Sequence, residues 1–325
     1  MNFYKKWIQL FLLQICLIFG ISNVLAQDYP NRPIKIIVPW PPGGGGDAVV
    51  RNISEKLSER LGQSIVVENK PGASGFIGAQ QVAIAPPDGY TLLMGFDGSL
   101  VVAPHLMKAP FNPLVDFVPV TKLNDATLIL ASHPSLPVKN LKEMIAYAKT
   151  KPDGLNFGST GVGTTPHLAG ELLAMQAGIK LVHVPYKGGG QAVTDAVSGQ
   201  IPLIFTVVPT VSGFVKQGSL NPIAVSSLKR SEVFPEVMTM SESGVNGFNV
   251  SSWYGIFAPA KTPKPIVEKL QKEIAYVLSI PEVREKYLKS AFVPIGNSSQ
   301  EFAEQIKDDY ARWGKVVEQA KIKLE

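Results

Sequence analysis

Short runs rich in β-branched residues alternate with stretches of helical periodicity along nearly the whole chain. A predicted strand over 34–38 precedes a helix over 47–61, in which apolar side chains recur every three or four residues. The alternation continues through a second series of strands and helices that begins near residue 128. Because strands separated by helices return to the same direction, this order predicts an α/β fold with mainly parallel sheets flanked by helices.

The first 26 residues have the pattern of a secretory signal peptide. Lys5 and Lys6 form a positive start, residues 7–20 are apolar, and small side chains occupy the first and third positions of 24–26. We therefore expect cleavage after Ala26 and a periplasmic mature protein. An uncleaved membrane anchor is the alternative, although the apolar run is short for a membrane span.

The reactive and charged side chains exclude several function classes. Cys16, the single cysteine, lies in the predicted signal peptide, so the mature chain has no disulfide and no thiol nucleophile. The four histidines lack metal-site spacing, and the nucleophile-elbow motif GxSxG is absent. Loss of Lys5 and Lys6 lowers the formal charge from +5 to +3 (5 − 2), and the other charges are scattered, unlike a nucleic-acid surface. We therefore predict no metal, cofactor, catalytic residue or nucleic-acid partner.

A glycine-rich turn over 41–47 follows the first strand and leads into the first helix. Glycines allow a ligand to approach the backbone closely, and a helix start offers unpaired N–H groups and a partial positive charge. The turn therefore predicts an anion site, with Asp47 as the expected N-cap of the helix. A purely structural turn is the alternative.

The same turn also fits a loose dinucleotide-binding fingerprint, Gly43-x-Gly45-x-x-Ala48, with Glu68 in the place of a ribose-binding acid. Such a short pattern is weak evidence, and an exported chain has little access to nicotinamide cofactors. The sequence therefore favours a small anion over a nucleotide.

A second glycine-rich turn, over 159–167, repeats the arrangement of strand, turn and helix. In open α/β sheets such turns lie at the carboxyl edge of the strands, where ligands bind. Two of them in separate halves of the chain predict two lobes that face one cleft. The structural alternative is that Thr164 or Thr165 caps the helix and that His167 lies inside it.

Stretches that include YPNRPIKIIVPWPPGGGGD, LNFGSTGVGTTPHLAGELL and SSWYGIFAPAKTPKPIVEKL resemble the substrate-binding receptors of tripartite tricarboxylate transporters, also called Bug or TctC-like proteins. The matching stretches cover nearly the whole mature chain in order. The resemblance implies a two-lobed periplasmic binding-protein fold of the type II kind, with a hinge between the lobes. It also implies delivery of a carboxylate to membrane permease subunits. We expect 27–127 and 249–325 to form lobe 1, and 128–248 to form lobe 2.

The resemblance also implies ligand-binding residues in both turns. We expect ligand contacts from Pro41, Gly43, Gly44, Gly45 and Asp47 in the first turn, from Ser159, Gly161, Gly163, Thr164 and His167 in the second, and more weakly from Asp195.

Four residues depart from the family pattern. Gly46 stands where the family usually has Thr or Ser, Phe96 and Asp97 replace small hydroxyl residues, and Thr206 stands where an Asp is common. We hypothesise that Phe96 and Asp97 meet the distal end of the ligand, which is then aromatic or carries a hydrogen-bond donor, and that Thr206 helps to select it. The alternative is that Asp97 points to solvent or caps the next helix.

The sequence thus predicts a monomeric receptor that captures a small carboxylate by closure of its lobes. The family's ligands are dicarboxylates, tricarboxylates, acidic amino acids and aromatic acids. An exported hydrolase that acts on a carboxylic ester in the same cleft is the alternative function.

Overall fold

The computed structural model describes residues 29–40, 42, 45–186 and 188–323. The predicted signal peptide lies outside these residues, as do Pro41, Gly43 and Gly44 of the first turn. None of the helices in the described ranges combines the length and the apolar character that a membrane span requires.

Strands and helices alternate in the described ranges as the sequence predicts. The strands are β1 (Ile34–Val38), β2 (Ile65–Asn69), β3 (Thr91–Phe96), β4 (Phe117–Ser132), β5 (Leu155–Ser159), β6 (Leu181–Pro185), β7 (Leu203–Val207), β8 (Asn221–Val225), β9 (Ser251–Pro259) and β10 (Val293–Pro294). The helices are α1 (Gly45–Leu61), α2 (Phe76–Ala83), α3 (Leu141–Lys149), α4 (Thr165–Ala177), α5 (Gly189–Val197), α6 (Val208–Lys216), α7 (Lys264–Ser279), α8 (Pro281–Lys289) and α9 (Ser299–Gln319).

The strands form two parallel groups that are joined by antiparallel strands. The order across the sheet is β2-β1-β3-β9-β4-β7-β5-β6, with β8 and β10 also paired to β4. β1 runs parallel to β2 and β3, and β5 runs parallel to β6 and β7. β9 is antiparallel to β3 and β4, and β4 is antiparallel to β7. The predicted α/β class is confirmed, with antiparallel strands where the two groups meet.

The long strand β4 takes part in both groups. Its residues up to Thr127 pair with β9, and its residues from Leu128 onward pair with β7 and β8. We call the part built on β1, β2, β3 and β9 the first lobe and the part built on β5 to β8 the second lobe. One continuous strand therefore ties the two lobes together.

The sequence predicts only the end of β4, near residue 128, because polar side chains interrupt its earlier part. Lys122 and Asn124 are nevertheless buried, at 7% and 0% exposure. The ammonium of Lys122 donates to the Asp125 carboxylate and to the Gln305 side-chain oxygen, both at 2.9 Å. A buried charge is tolerated where it is paired in this way, so tertiary contacts form a strand that the pattern conceals.

Helix α9 packs across the strands that join the lobes. Trp253 on β9 donates its indole N–H to the Asp309 carboxylate at 2.9 Å, and Arg312 donates to the same carboxylate at 2.6 Å. The ring of Phe302 is fully buried against the backbone of β9 at Gly255. Burial of a side chain of this size contributes about 1.5–3 kcal/mol.

Gly255→Ala should destabilise this packing. The added Cβ would overlap the Phe302 ring and come within 3.1 Å of the Thr121 carbonyl oxygen. Because the closely packed core leaves the ring no space to move, we expect the free energy of unfolding in urea to fall by about 1–3 kcal/mol.

Gly213→Ala is the matched control, because Gly213 lies on an exposed face of α6 with nothing within 4 Å of the added Cβ. It should be neutral or stabilising by up to about 1 kcal/mol. Wild-type stability in Gly255→Ala would contradict the close contact between α9 and β9.

Candidate functional site

A cavity of about 380 Å³ lies between the two lobes. The first lobe contributes the ends of β1 and β3 and the start of β9, and the second lobe contributes the turn after β5 and the end of β7. The lining residues are Trp40, Ser74, Phe96, Asp97, Gly98, Ala103, Leu106, Met107, Thr160, Val162, Gly163, Thr164, Thr165, Pro166, Val207, Ser252 and Tyr254. The site lies at the carboxyl ends of parallel strands, where ligands bind in open α/β sheets.

The Asp97 carboxylate joins the two lobes inside this cavity. It follows β3, is only 1% exposed, and accepts a hydrogen bond of 2.7 Å from the Ser252 hydroxyl of β9. Its other oxygen accepts a hydrogen bond from the hydroxyl of Thr165, the first residue of α4 in the second lobe. The alternative that Asp97 points to solvent is therefore wrong. Asp97 does precede a short helical segment, Gly98–Val102, but its side chain makes no capping hydrogen bond there.

Burial controls the charge of this carboxylate. Removal from water raises the pKa of Asp97 to about 6, because an apolar environment disfavours the ionised form. The hydrogen bonds from Thr165 and Ser252 oppose this rise, since they stabilise the charged form. At neutral pH the group is mainly ionised, although it lies in the interior.

Three aromatic rings form one wall of the cavity. The Trp40 and Phe96 rings have centroids 3.7 Å apart at an angle of 61°, and the Tyr254 ring lies 6.2 Å from Trp40 and 6.5 Å from Phe96. Tilted and edge-on pairs of this kind stabilise one another beyond their area of burial. This wall, which we call the aromatic wall, gives the cavity an apolar face suited to a ring or an alkyl chain.

The second turn is held from behind by two histidines. The backbone N–H of Gly163 donates to His167 Nδ1 at 3.1 Å, and His183 Nε2 shares a hydrogen bond of 2.6 Å with the Ser159 hydroxyl. The two imidazole rings stack with centroids 3.7 Å apart. Gly161 and Gly163 have φ angles of 137° and 71°, which side chains rarely adopt, so glycine is required for this turn.

Only some of the predicted site residues of the second turn line the cavity. Gly163 and Thr164 line the cavity, whereas Ser159, Gly161 and His167 do not. His167 is 4% exposed and Ser159 is 0% exposed. Their side chains shape the turn, and Thr164 donates its hydroxyl to the Gly161 carbonyl at 2.8 Å instead of capping α4 with its side chain.

Thr206 and Asp195 lie away from the cavity, contrary to the expectation of ligand contact. Successive side chains of a strand point to opposite faces, and on β7 it is Val207 that lines the cavity while Thr206 is fully buried. Asp195 lies on α5 and accepts a hydrogen bond of 2.9 Å from the Tyr186 hydroxyl.

The first turn is described only from Gly45 onward, apart from Pro42. Helix α1 begins at Gly45 rather than at residue 47, so Asp47 lies within the first turn of the helix and is not its N-cap. The Asp47 carboxylate is 3% exposed and accepts hydrogen bonds from Asn69 at 2.9 Å and Arg51 at 2.8 Å. Asn69 also donates to the Trp40 carbonyl at 2.9 Å. Asp47 thus ties the start of α1 to the residues that precede the turn.

The close packing around Gly46 leaves no space for a side chain. A Cβ at this position would overlap the methyl group of Met94 and lie 3.5 Å from both Trp40 and Tyr254. The place of the usual Thr or Ser side chain is therefore occupied by apolar groups that adjoin the aromatic wall.

Several lining residues escaped the sequence analysis. Trp40 directly precedes the glycine-rich turn, and Ser252 and Tyr254 lie in the SSWYGIF stretch. Their position beside or within these motifs is the sequence signal that could have identified them as lining residues. Ser74 and Ala73 have positive φ angles of 55° and 47°, a conformation that costs non-glycine residues of the order of 1–3 kcal/mol and that is concentrated at functional sites. No sequence pattern reveals that strain.

A two-lobed α/β chain with a cavity between the lobes has the fold of a periplasmic binding protein. The model of the tripartite tricarboxylate transporter family receptor matches residues 49–322. The chain therefore belongs to the receptor family of the tripartite tricarboxylate transporters, and the predicted relationship is confirmed.

Relatives and solved structures agree with this assignment. The chain is 35% identical over 305 residues to the protein BugT of Bordetella pertussis, and the match covers 93% of this chain and 94% of BugT. A structure of an R. palustris protein with adipate is 33% identical, with a TM-score of 0.77, and the match covers 91% of this chain and 99% of that one. MatC from Rhodopseudomonas palustris with bound malate is 31% identical, with a TM-score of 0.73 and coverage of 89% and 100%.

The ionisation of Asp97 should appear in the pH dependence of stability. Its pKa rises from 3.8 in a solvated chain to about 6 in the fold, so the folded state binds more protons between these values and stability falls as pH rises from about 4 to about 6. A change of this size corresponds to about 3 kcal/mol at most. Urea unfolding without ligand measures this effect. As pH rises from about 4 to about 6, the free energy of unfolding of wild type should fall relative to that of Asp97→Asn.

Asp153→Asn is the control, because Asp153 is exposed in the loop before β5. It should follow the wild-type pH profile. A stability difference between wild type and Asp97→Asn that is constant from pH 4 to pH 7 would contradict the raised pKa.

Proposed function

We propose that this protein is a periplasmic receptor that captures a small carboxylate between its lobes and delivers it to the membrane subunits of a tripartite tricarboxylate transporter. The observation that carries this proposal is the cavity of about 380 Å³, which is lined by both lobes and crossed by the hydrogen bond from Thr165 to Asp97. Pockets of this size suit small organic molecules.

The ligand's carboxylate belongs, in this proposal, at the first turn and the start of α1. Unpaired N–H groups at a helix start attract an anion. Trp40 before the turn lines the cavity, and Gly46 lies near Trp40 and Tyr254 of the aromatic wall. Solved relatives contain adipate and malate, which are both carboxylates.

Capture works by closure of the lobes about β4 and the start of β9. In support, the pairing of β4 changes between Thr127 and Leu128, and β9 pairs with β4 from Ser251 onward. These positions favour lobe limits of 27–127 with 249–325 for the first lobe and 128–248 for the second. We further propose a monomer that is exported and cleaved after Ala26.

A receptor is favoured over a hydrolase. Ser159 and His183 share a hydrogen bond as a nucleophile and its base would, but Ser159 is fully buried and does not line the cavity. Burial, with the neighbouring His167 as a further cause, lowers the pKa of His183 to about 3, which makes it a poor base. The hydroxyls of Ser252 and Thr165 donate to a carboxylate instead of a histidine.

Titration of the mature chain with a panel of organic acids should give saturable binding without turnover. Ligand at about 100 times its dissociation constant stabilises the fold by about 2.7 kcal/mol, so the same acids should raise the melting temperature. Calorimetry measures the binding, and chromatography of the recovered ligand or of added carboxylic esters measures turnover. Hydrolysis of an ester above the rate in buffer would contradict the receptor assignment.

Saturating ligand should also make the protein more compact. Closure is favoured by ligand only through contacts that the open state lacks, and such contacts come from both lobes around the cavity. Small-angle scattering should therefore show a smaller radius of gyration with a binding acid than with a non-binding acid from the same panel. An unchanged radius at saturation would contradict closure.

A further inference from the structure

The charge and polarity of the cavity narrow the class of ligand. Given the proposed receptor function, we propose that the ligand carries one carboxylate on an apolar or aromatic body and a hydroxyl or ammonium group at its other end, and that dicarboxylates are rejected. This group at the far end meets Asp97.

Charge is the first argument. Asp97 is the only charged side chain among the described residues that line the cavity. None of those described lining residues is Lys, Arg or His, so the described part of the lining offers no positive side chain to a second ligand carboxylate beside Asp97. Two like charges in a site with little water repel each other strongly, because the low dielectric screens them poorly.

Hydrogen-bond polarity is the second argument. Both hydroxyl neighbours of Asp97, on Thr165 and Ser252, use their protons to donate to its carboxylate. The group that these three residues form therefore presents acceptors to the cavity. An ionised carboxylate has about four acceptor positions. Thr165, Ser252 and the backbone of Gly98 use three of them, so one remains for a donor on the ligand. A second ligand carboxylate would bring further acceptors and no donor.

The apolar lining is the third argument. The aromatic wall lies next to Asp97 in the fold, since Phe96 directly precedes it, and Leu106, Met107 and Val162 also line the cavity. Apolar contact of this kind suits an alkyl chain or a ring between the two ends of the ligand. Densely hydroxylated or tricarboxylic acids would leave polar groups without partners against this surface.

Two series of acids that differ in a single terminal group test the proposal on the wild-type mature chain. The alkyl series is hexanoate, 6-hydroxyhexanoate, 6-aminohexanoate and adipate, which end in methyl, hydroxyl, ammonium and carboxylate. The aromatic series is 4-methylbenzoate, 4-hydroxybenzoate, 4-(aminomethyl)benzoate and terephthalate. Calorimetry at pH 7.5 should show, in at least one series, that a donor-ended acid binds about tenfold or more tightly than the methyl-ended acid and that the dicarboxylate binds most weakly.

Asp97→Asn separates the role of the charge from that of cavity shape. The preference is the ratio of the dissociation constant of the dicarboxylate to that of the ammonium-ended acid, and Asp97→Asn should lower this ratio by about tenfold or more. Asp153→Asn, at an exposed site, should keep the wild-type ranking of the acids. The ranking of the wild type tests the proposal even if Asp97→Asn does not fold.

The outcomes distinguish this inference from the receptor function itself. If, in every series that binds, the dicarboxylate or the methyl-ended acid binds as tightly as its donor-ended counterparts, the inference is overturned and the receptor function is left standing. A folded Asp97→Asn variant with the wild-type ranking would also overturn it. Absence of binding by every acid in both series and in the wider panel would instead count against the receptor function, and the inference would fall with it.

Discussion

The pairing of β4 with strands of both lobes is the constraint on which the cleft depends. A single strand that is hydrogen-bonded to β9 along its first part and to β7 and β8 along its end holds the carboxyl ends of the two parallel groups on either side of one space. Helix α9 reinforces this region through Phe302 and through the Asp309 contacts with Trp253 and Arg312. In the proposed closure, the lobes therefore turn about a strand whose pairing continues from one lobe into the other.

Within the cleft, the buried carboxylate of Asp97 has two physical consequences. It connects the lobes through Thr165 and Ser252, and it sets a negative charge against an otherwise apolar and hydroxyl-bearing lining. Its raised pKa reflects the cost of this burial. Strongly shifted pKa values cluster at functional sites, which agrees with the role in ligand selection proposed for Asp97.

The sequence analysis located the site more accurately by segment than by side chain. The second glycine-rich turn and the pair Phe96 and Asp97 do line the cavity, because turns after parallel strands meet at one edge of a sheet. The assignment of Thr206 failed by one position, since the alternation of β7 turns Val207 toward the cavity. His167 was expected at the ligand, but it holds the Gly163 backbone from behind.

The sequence by itself determined the α/β class, the two turns, the family and the presence of an acid at position 97, because periodicity, glycine clusters and motifs are local properties. Only the tertiary structure decided that β4 extends through its polar residues, that Trp40, Phe96 and Tyr254 form one wall, and that Asp97 contacts the second lobe. These features arise between residues that are far apart in the chain. Burial and pairing across such distances leave no trace in a local pattern. The sequence therefore shows that an acid stands at position 97, but only the fold shows that its charge is buried between the lobes.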